Sequence, residues 1–316
     1  VLIIYARKKL YNSFNLEYVK TWIRRSWLPL YPALGFAISS LGVIIFAFVT
    51  QSNEGIGFWA AAVIQVVLIT QAVHIAKAAY PKLLHDGISN YLKQNLNLLI
   101  FITILFTFIT ITFAKQCLFI LNPIYETMFF VVIVIAIWKF FDVIAIGFQS
   151  YITGIEEVDI KTTSCFKDYL KSQLFLIPTI SLIQHSIAMI LLTIGLLLFI
   201  NSSEIDLLMY WAVIGLLTQI PVTFYFYSKS KKLFDLTFEF IKIAKYIFAG
   251  ILSFGSVYFL MDNTINYQQD LIYFISHVMI YAIIAVGSYL GITYLLDSTI
   301  KDLIHNSLNE IKKFKK

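Results

Sequence analysis

Eight long, mostly apolar stretches limit what this chain can fold into. They are Trp27–Thr50, Gly57–Tyr80, Leu92–Ala114, Met128–Thr153, Leu170–Ile200, Leu207–Ser228, Phe240–Met261 and Leu271–Leu296. A helix rises 1.5 Å per residue, so about twenty apolar residues cross a bilayer core of roughly 30 Å. In lipid every backbone N–H and C=O must be satisfied within the protein. A helix does this within one segment, whereas a β-barrel would show short alternating strands instead. Composition agrees: hydrophobic residues make up 59%, charged residues only 13%, and the mean hydropathy is +0.80. A soluble domain is about a quarter charged. The expectation is an all-α, polytopic integral membrane bundle of eight transmembrane helices.

Basic residues test this map, because Lys and Arg collect on the cytoplasmic side of a membrane. Eight spans divide the loops into two alternating sets. One set, with its span ends, holds every Lys and Arg except Lys115 and Lys139. A wrong span count would have mixed the two sets. The spans therefore predict a multi-pass protein of the plasma (cytoplasmic) membrane with both ends of this chain cytoplasmic. The net charge of +6 follows from the same bias and from contact with anionic lipid. No soluble domain presents a groove, so nucleic acid is not an expected partner.

Cys117 falls on the outer side and Cys165 on the inner, so the two cannot pair. Asn201-Ser202-Ser203 matches a glycosylation acceptor but hugs the membrane and reads as chance. The chain begins Val1-Leu-Ile-Ile-Tyr5, then Arg7, Lys8 and Lys9, which reads as a piece of a longer protein. Outer loops are short. Two cytoplasmic segments read as amphipathic helices in the interface. In Phe14–Arg25, Leu16, Val19 and Ile23 share a face beside Lys20 and Arg24; in Asp297–Lys316, Ile300, Leu303, Ile304, Leu308 and Ile311 do. Anchoring is the plainer role for the tail, and a partner contact the alternative.

No Gly-x-x-x-x-Gly-Lys-Ser/Thr loop, Cys/His metal spacing or Gly-x-Ser-x-Gly elbow occurs. No cofactor, metal ligand or catalytic residue is implied, and the expected chemistry is transport rather than bond-making. The polar residues inside the spans then carry the question. Lys139 lies about eleven residues into the fourth span, roughly 16 Å at 1.5 Å per residue, which is near the midplane. A lone charge there costs about 2.5–3.5 kcal/mol on insertion scales. Asp142 is three residues on and shares its face; Gln149 and Thr153 continue that face towards the cytoplasm.

Two readings stand. A self-neutralising pair packs against neighbouring helices, or the stripe lines a polar cavity and offers Lys139 to an anionic ligand. Asp142 would alternatively be a proton or cation site. Gln71, His74 and Lys77 line one side of the second span, Ser181, Gln184 and His185 follow Pro178 in the fifth, and Gln219 sits beside Pro221 in the sixth. Each alone reads as interhelical glue before it reads as a ligand contact. Gln71, His74, Gln184 and His185 join Lys139, Asp142 and Gln149 as cavity candidates. Pro178 and Pro221 are expected kinks, and the 28 Phe and 19 Tyr are expected mostly at lipid-facing or interfacial positions.

Several segments resemble one family. Trp27-Leu-Pro-Leu-Tyr-Pro32 resembles the start of the seventh helix of polysaccharide flippases, the Wzx-like members of the multidrug/oligosaccharidyl-lipid/polysaccharide (MOP, MATE-like) exporter superfamily. Asn53-Glu-Gly-Ile-Gly-Phe-Trp-Ala-Ala-Ala62 is similar to that family's "eevGyYaaA" segment, and Tyr80-Pro-Lys-Leu-Leu84 to its "fPkls". Ile120-Leu-Asn-Pro-Ile-Tyr-Glu126 resembles its "llgp.Y", and Gly154-Ile-Glu-Glu-Val-Asp159 the "G.ek" turn. The pieces are short, and their order and placement at the membrane edges carry the resemblance.

The resemblance implies helices seven to fourteen of a fourteen-helix fold: a linker and interfacial helix over 1–26, a six-helix lobe over 27–228, two further helices over 229–296 and a basic tail over 297–316. The first lobe is missing, so this chain alone is not expected to transport. The implied activity is flipping of a polyprenyl- or dolichyl-(pyro)phosphate-linked oligosaccharide to the outer leaflet for surface-glycan assembly, by alternating access and with H+ or Na+ as coupling ion. Membrane lipids are the other expected partners. Lys139 would hold the lipid phosphate, though no family motif matches Lys139 or Asp142. A multidrug or cation antiporter of the same superfamily is the alternative; a membrane glycosyltransferase or polymerase, or a non-transporting scaffold, lies further off.

Overall fold

The computed structural model describes residues 19, 20, 23, 27–78, 89–156, 158, 166–235, 238–264 and 271–301. Val1–Tyr5, most of Phe14–Arg25, Tyr80–Leu84, Cys165 and the tail beyond Lys301 lie outside the described residues. Among the described residues every regular element is helical.

In chain order the helices are α1 (Trp27–Thr50), α2 (Glu54–Thr70), α3 (Val73–Ala78), α4 (Ser89–Thr112), α5 (Ala114–Leu121), α6 (Phe129–Gly154), α7 (Phe166–Lys171), α8 (Gln173–Leu198), α9 (Glu204–Phe234), α10 (Phe240–Thr264) and α11 (Leu271–Leu296). A 3-10 turn, Pro123–Met128, leads into α6. Among the described residues, eight helical segments are long and apolar enough to cross a membrane. The protein is an all-α, multi-pass membrane bundle.

The spans fall where apolar runs predict, with differences that have local causes. The second breaks at Gln71 and Ala72, where the backbone N–H of each reaches back only three residues, to Leu68 and Ile69, before α3 resumes. The expected outer loop Lys115–Thr127 is mostly ordered. Asn122 is extended at φ −169°, its side chain accepts from the Ile124 N–H, and Pro123 starts the next turn without needing a donor. The sixth span is longer than expected, reaching from Glu204 to Phe234. Ser203 caps it by accepting from the Asp206 N–H at 3.2 Å, and Asp235, at φ +50°, ends it in the left-handed region. Pro32, Pro178 and Pro221 all lie inside continuous helices.

α6 is the hub. It packs along α9 and against α2 and α4, while α1 pairs with α8 on the far side. Tyr31 of α1 stacks on Phe175 of α8 with ring centres 4.9 Å apart, and its hydroxyl is 2.8 Å from Thr179 Oγ1. α10 and α11 pair with one another and lean on α4, the most enclosed span at 67% buried. Two apolar cores result. One joins α1, α2, α6, α8 and α9 around Phe46, Trp59 and Trp211; the other joins α4, α6, α10 and α11 around Phe148, Tyr246 and Tyr289. Many aromatics expected at lipid-facing positions therefore point inward, because large rings fill gaps between helices well.

A polar network ties the basic ends of α4, α10 and α11 together. Lys242 Nζ lies 2.6 Å from Glu239 Oε2 and donates to Thr299 Oγ1 at 3.0 Å, and Asn97 Nδ2 donates to Glu239 at 3.3 Å. Tyr246 donates to Asp297, whose other carboxylate oxygen caps the following turn at the Thr299 N–H, 2.9 Å away. Asp297 is buried, as is Ile300, so the start of the tail is tucked into the bundle rather than lying on it. Burial raises the Asp297 carboxyl, but the bonds from Tyr246 and Thr299 and the Lys242 charge outweigh it and hold it below the usual carboxylate range.

Candidate functional site

Lys139 and Asp142 sit in mid-α6, a helix otherwise built from Val, Ile, Phe and Ala. Their spacing of three puts both on one face, and Lys139 Nζ donates to Asp142 Oδ2 at 2.9 Å. Each side chain keeps 25% of its surface exposed, so the pair is neither sealed in the core nor offered bare to lipid. The ammonium also lies 4.9 Å from the centre of the Trp138 ring, within cation–π range.

Lys139 reaches into a cavity of about 170 Å³ enclosed by α1, α2, α6, α8 and α9. Polar groups converge there from four helices: Ser39 from α1, Lys139 from α6, Gln184 and His185 from α8, and Thr218 from α9. Trp59, Trp138 and Trp211 form much of the remaining wall. Trp59 and Trp211 stack face to face at 4.0 Å and 6°.

Two glycines permit this wall. A Cβ on Gly215 would come within 2.6 Å of the Trp138 ring, and one on Gly42 within 2.6 Å of Trp211. Both approaches exist only because the side chain is a hydrogen. Gln184 is oriented by a 2.6 Å bond from its Nε2 to Gln219 Oε1, and Thr223 donates to the Phe141 carbonyl at 3.1 Å, pinning α9 to α6 close to Lys139. His185 rests against Gly35 of α1 and lines the cavity beside Lys139.

The expected residues thus divide. Lys139, Gln184 and His185 share one cavity, and Asp142 stands beside it holding Lys139. Gln149, two turns on along α6, is half-buried away from the cavity, where its carbonyl accepts from Thr153 at 2.8 Å. Gln71, His74 and Lys77 are exposed together at the basic end of the second span, outside the cavity. The three tryptophans, Ser39 and Thr218 complete the site. Ser39 was noticeable as a polar residue in an apolar span, and Trp138 as the neighbour of Lys139; nothing in the sequence marks Trp59 and Trp211 as partners.

A second groove, about 280 Å³, lies between α4, α6 and α10; Phe108, Phe129, Phe254 and Phe259 line it, with Thr112 and Tyr258 the polar groups. It offers no charge.

Fold and site together define a polytopic membrane protein with a cation set in a small, mostly apolar cavity at mid-span. No family model matches the sequence, and no curated protein or solved structure is significantly similar to it.

Proposed function

We propose that this protein translocates an amphiphile with an anionic headgroup across the membrane, and that its substrate is a lipid-linked oligosaccharide carried on a polyprenyl or dolichyl (pyro)phosphate. The observation that carries the reading is Lys139 in the wall of a mid-membrane cavity, joined there by Ser39, Gln184, His185 and Thr218. An ammonium supplies the point charge a phosphate needs, and neutral donors supply hydrogen bonds to it or to the first sugar. Intramembrane ionisable groups facing a cavity mark transport pathways. The resemblance of the span edges to Wzx-like flippases points the same way. In that reading α1–α9 form the second lobe of a MATE-like transporter, α10 and α11 its two extra helices, and both chain ends lie in the cytoplasm.

Three tryptophans beside a carboxylate also suit an organic cation, which favours the antiporter of the same superfamily as second reading. Lys139 opposes it, because like charges in a small cavity repel.

The test is to delete the gene and measure lipid-linked oligosaccharide in the two leaflets. Accumulation on the cytoplasmic leaflet, reversed by the wild-type gene, supports the proposal. Unchanged lipid intermediates together with normal surface glycan contradict it.

A further inference from the structure

We infer that the cavity binds its anion together with a proton, which Asp142 takes up when the anion displaces it from Lys139. The inference rests on the anion-site reading above and adds how the site is regulated.

In the empty site the charges balance. Lys139 and Asp142 are 2.9 Å apart, and among the described residues the Asp142 carboxylate has no other hydrogen-bond partner. Lys139 is the cation of the cavity wall, so an arriving anion must share or take the donor that Asp142 uses. A small, mostly apolar cavity between five helices screens charge less than bulk water does. An anion on Lys139 with Asp142 still ionised leaves the site net negative and the carboxylate unpartnered, an arrangement that low dielectric penalises heavily. One proton from the aqueous phase onto Asp142 removes one of the site's negative charges and turns the carboxylate into a donor, able to bond the anion or a nearby carbonyl.

The groups facing Asp142 support this assignment. On its own helix the charged neighbour is Lys139, and from α8 the titratable neighbour is His185. α9 presents the uncharged Thr218, Gln219 and Thr223 at this depth, and the titratable residues of α2 and α4, Glu54, Tyr91 and Lys93, lie near helix ends. His185 is therefore the one rival acceptor. His185 shares the cavity wall with Lys139, whereas Asp142 loses its hydrogen-bond partner outright. The cavity volume, about 170 Å³, is below the range of roughly 300–1,000 Å³ usual for whole drug-sized ligands, so the site takes one small anionic group and leaves any attached chain outside.

The test uses the purified protein in phosphatidylcholine nanodiscs and sulfate as probe, because sulfate does not titrate between pH 5 and 8. Tryptophan fluorescence reports binding, since three of the five Trp residues line the cavity. Wild-type affinity should strengthen as pH falls, by up to about tenfold per pH unit for one linked proton. Sulfate added to weakly buffered protein should withdraw about one proton per site. Asp142→Asn should bind sulfate more tightly at pH 8 and lose the pH dependence, His185→Gln should keep it, and Lys139→Ala should abolish binding.

Absence of saturable binding, no proton uptake by wild type, or a pH dependence that survives Asp142→Asn and vanishes in His185→Gln would each overturn the inference. The proton measurement needs no variant and stands if a variant fails to fold. Competition by geranylgeranyl phosphate but not inorganic phosphate assigns the anion to a lipid headgroup; equal competition assigns it to a free ion, and either result supports the anion site. Proton-linked sulfate binding in a protein whose deletion leaves both leaflets unchanged would keep this inference and retire translocation.

Discussion

Trp138 lies flat against Gly215 of α9, so close that a Cβ there would fall 2.6 Å from the ring, while the next residue, Lys139, turns its ammonium 4.9 Å from the same ring's centre. The contact between α6 and α9 and the position of the cavity cation are therefore one feature. Gly215→Ala should push the Trp138 ring aside, cost about 1–3 kcal/mol through overpacking and weaken anion binding with Lys139 still present. Thermal unfolding and sulfate titration of the variant check both effects.

The Lys139–Asp142 pair separates a binding role from a packing role. Removing either partner leaves an uncompensated charge at mid-span and should cost about 2–3 kcal/mol. The joint replacement Lys139→Leu with Asp142→Leu should recover most of that stability, since a well-packed apolar pair is a fair exchange for a buried ion pair. If the pair serves the site, the double variant is stable and inactive. Full activity in the double variant would reduce the pair to packing. A double-mutant cycle on melting temperature, beside a transport assay, gives both answers.

Asp297 makes stability pH-dependent at the basic ends of α4, α10 and α11. Its carboxyl is held below its unfolded value of about 3.9. A group depressed in this way contributes stability that is fully present above the unfolded value and is lost as pH falls through the folded one. The stability gap between wild type and Asp297→Asn should be widest near neutrality and close below about pH 4. Tyr246→Phe removes a bond to a charged acceptor and should cost about 1.5–3 kcal/mol at pH 7. Acid unfolding of the three proteins in detergent reads this directly.

The two sides of the bundle differ in charge, and sidedness is measurable. In a background lacking Cys117 and Cys165, Ser202→Cys should react with an impermeant maleimide in intact cells. Lys231→Cys should react only after permeabilisation. Both positions are exposed at the ends of α9's membrane crossing. The reverse pattern would invert the topology.

The sequence disclosed what depends on one helix at a time. Apolar run lengths placed the eight spans, because a helix in lipid must close its own hydrogen bonds. The spacing of Lys139 and Asp142 gave their contact, since three residues return to the same face. What depends on how helices rotate against one another stayed hidden. Gln184 and His185 meet Lys139, whereas Gln71 and His74, equally polar and also within a span, face outward. That choice follows from which side of α2 and α3 packs on α6, and a single sequence does not encode it visibly. Trp59 and Trp211 were hidden for the same reason: they stack across two helices. The Asp297 cluster had a faint signal in an acid placed at the end of the last apolar run and in Glu239 and Lys242 at a spacing of three.

Whether Lys139 carries an anionic headgroup across the membrane is decided by transport by the product of the complete gene in liposomes carrying a headgroup-labelled polyprenyl pyrophosphate glycolipid. An impermeant quencher follows lipid in the outer leaflet. Wild type should bring inner-leaflet label into reach of the quencher, Lys139→Ala should slow this by at least tenfold, and a neutral lipid of the same tail should not move. Equal rates for wild type and Lys139→Ala, or equal movement of the neutral lipid, would contradict this role of Lys139.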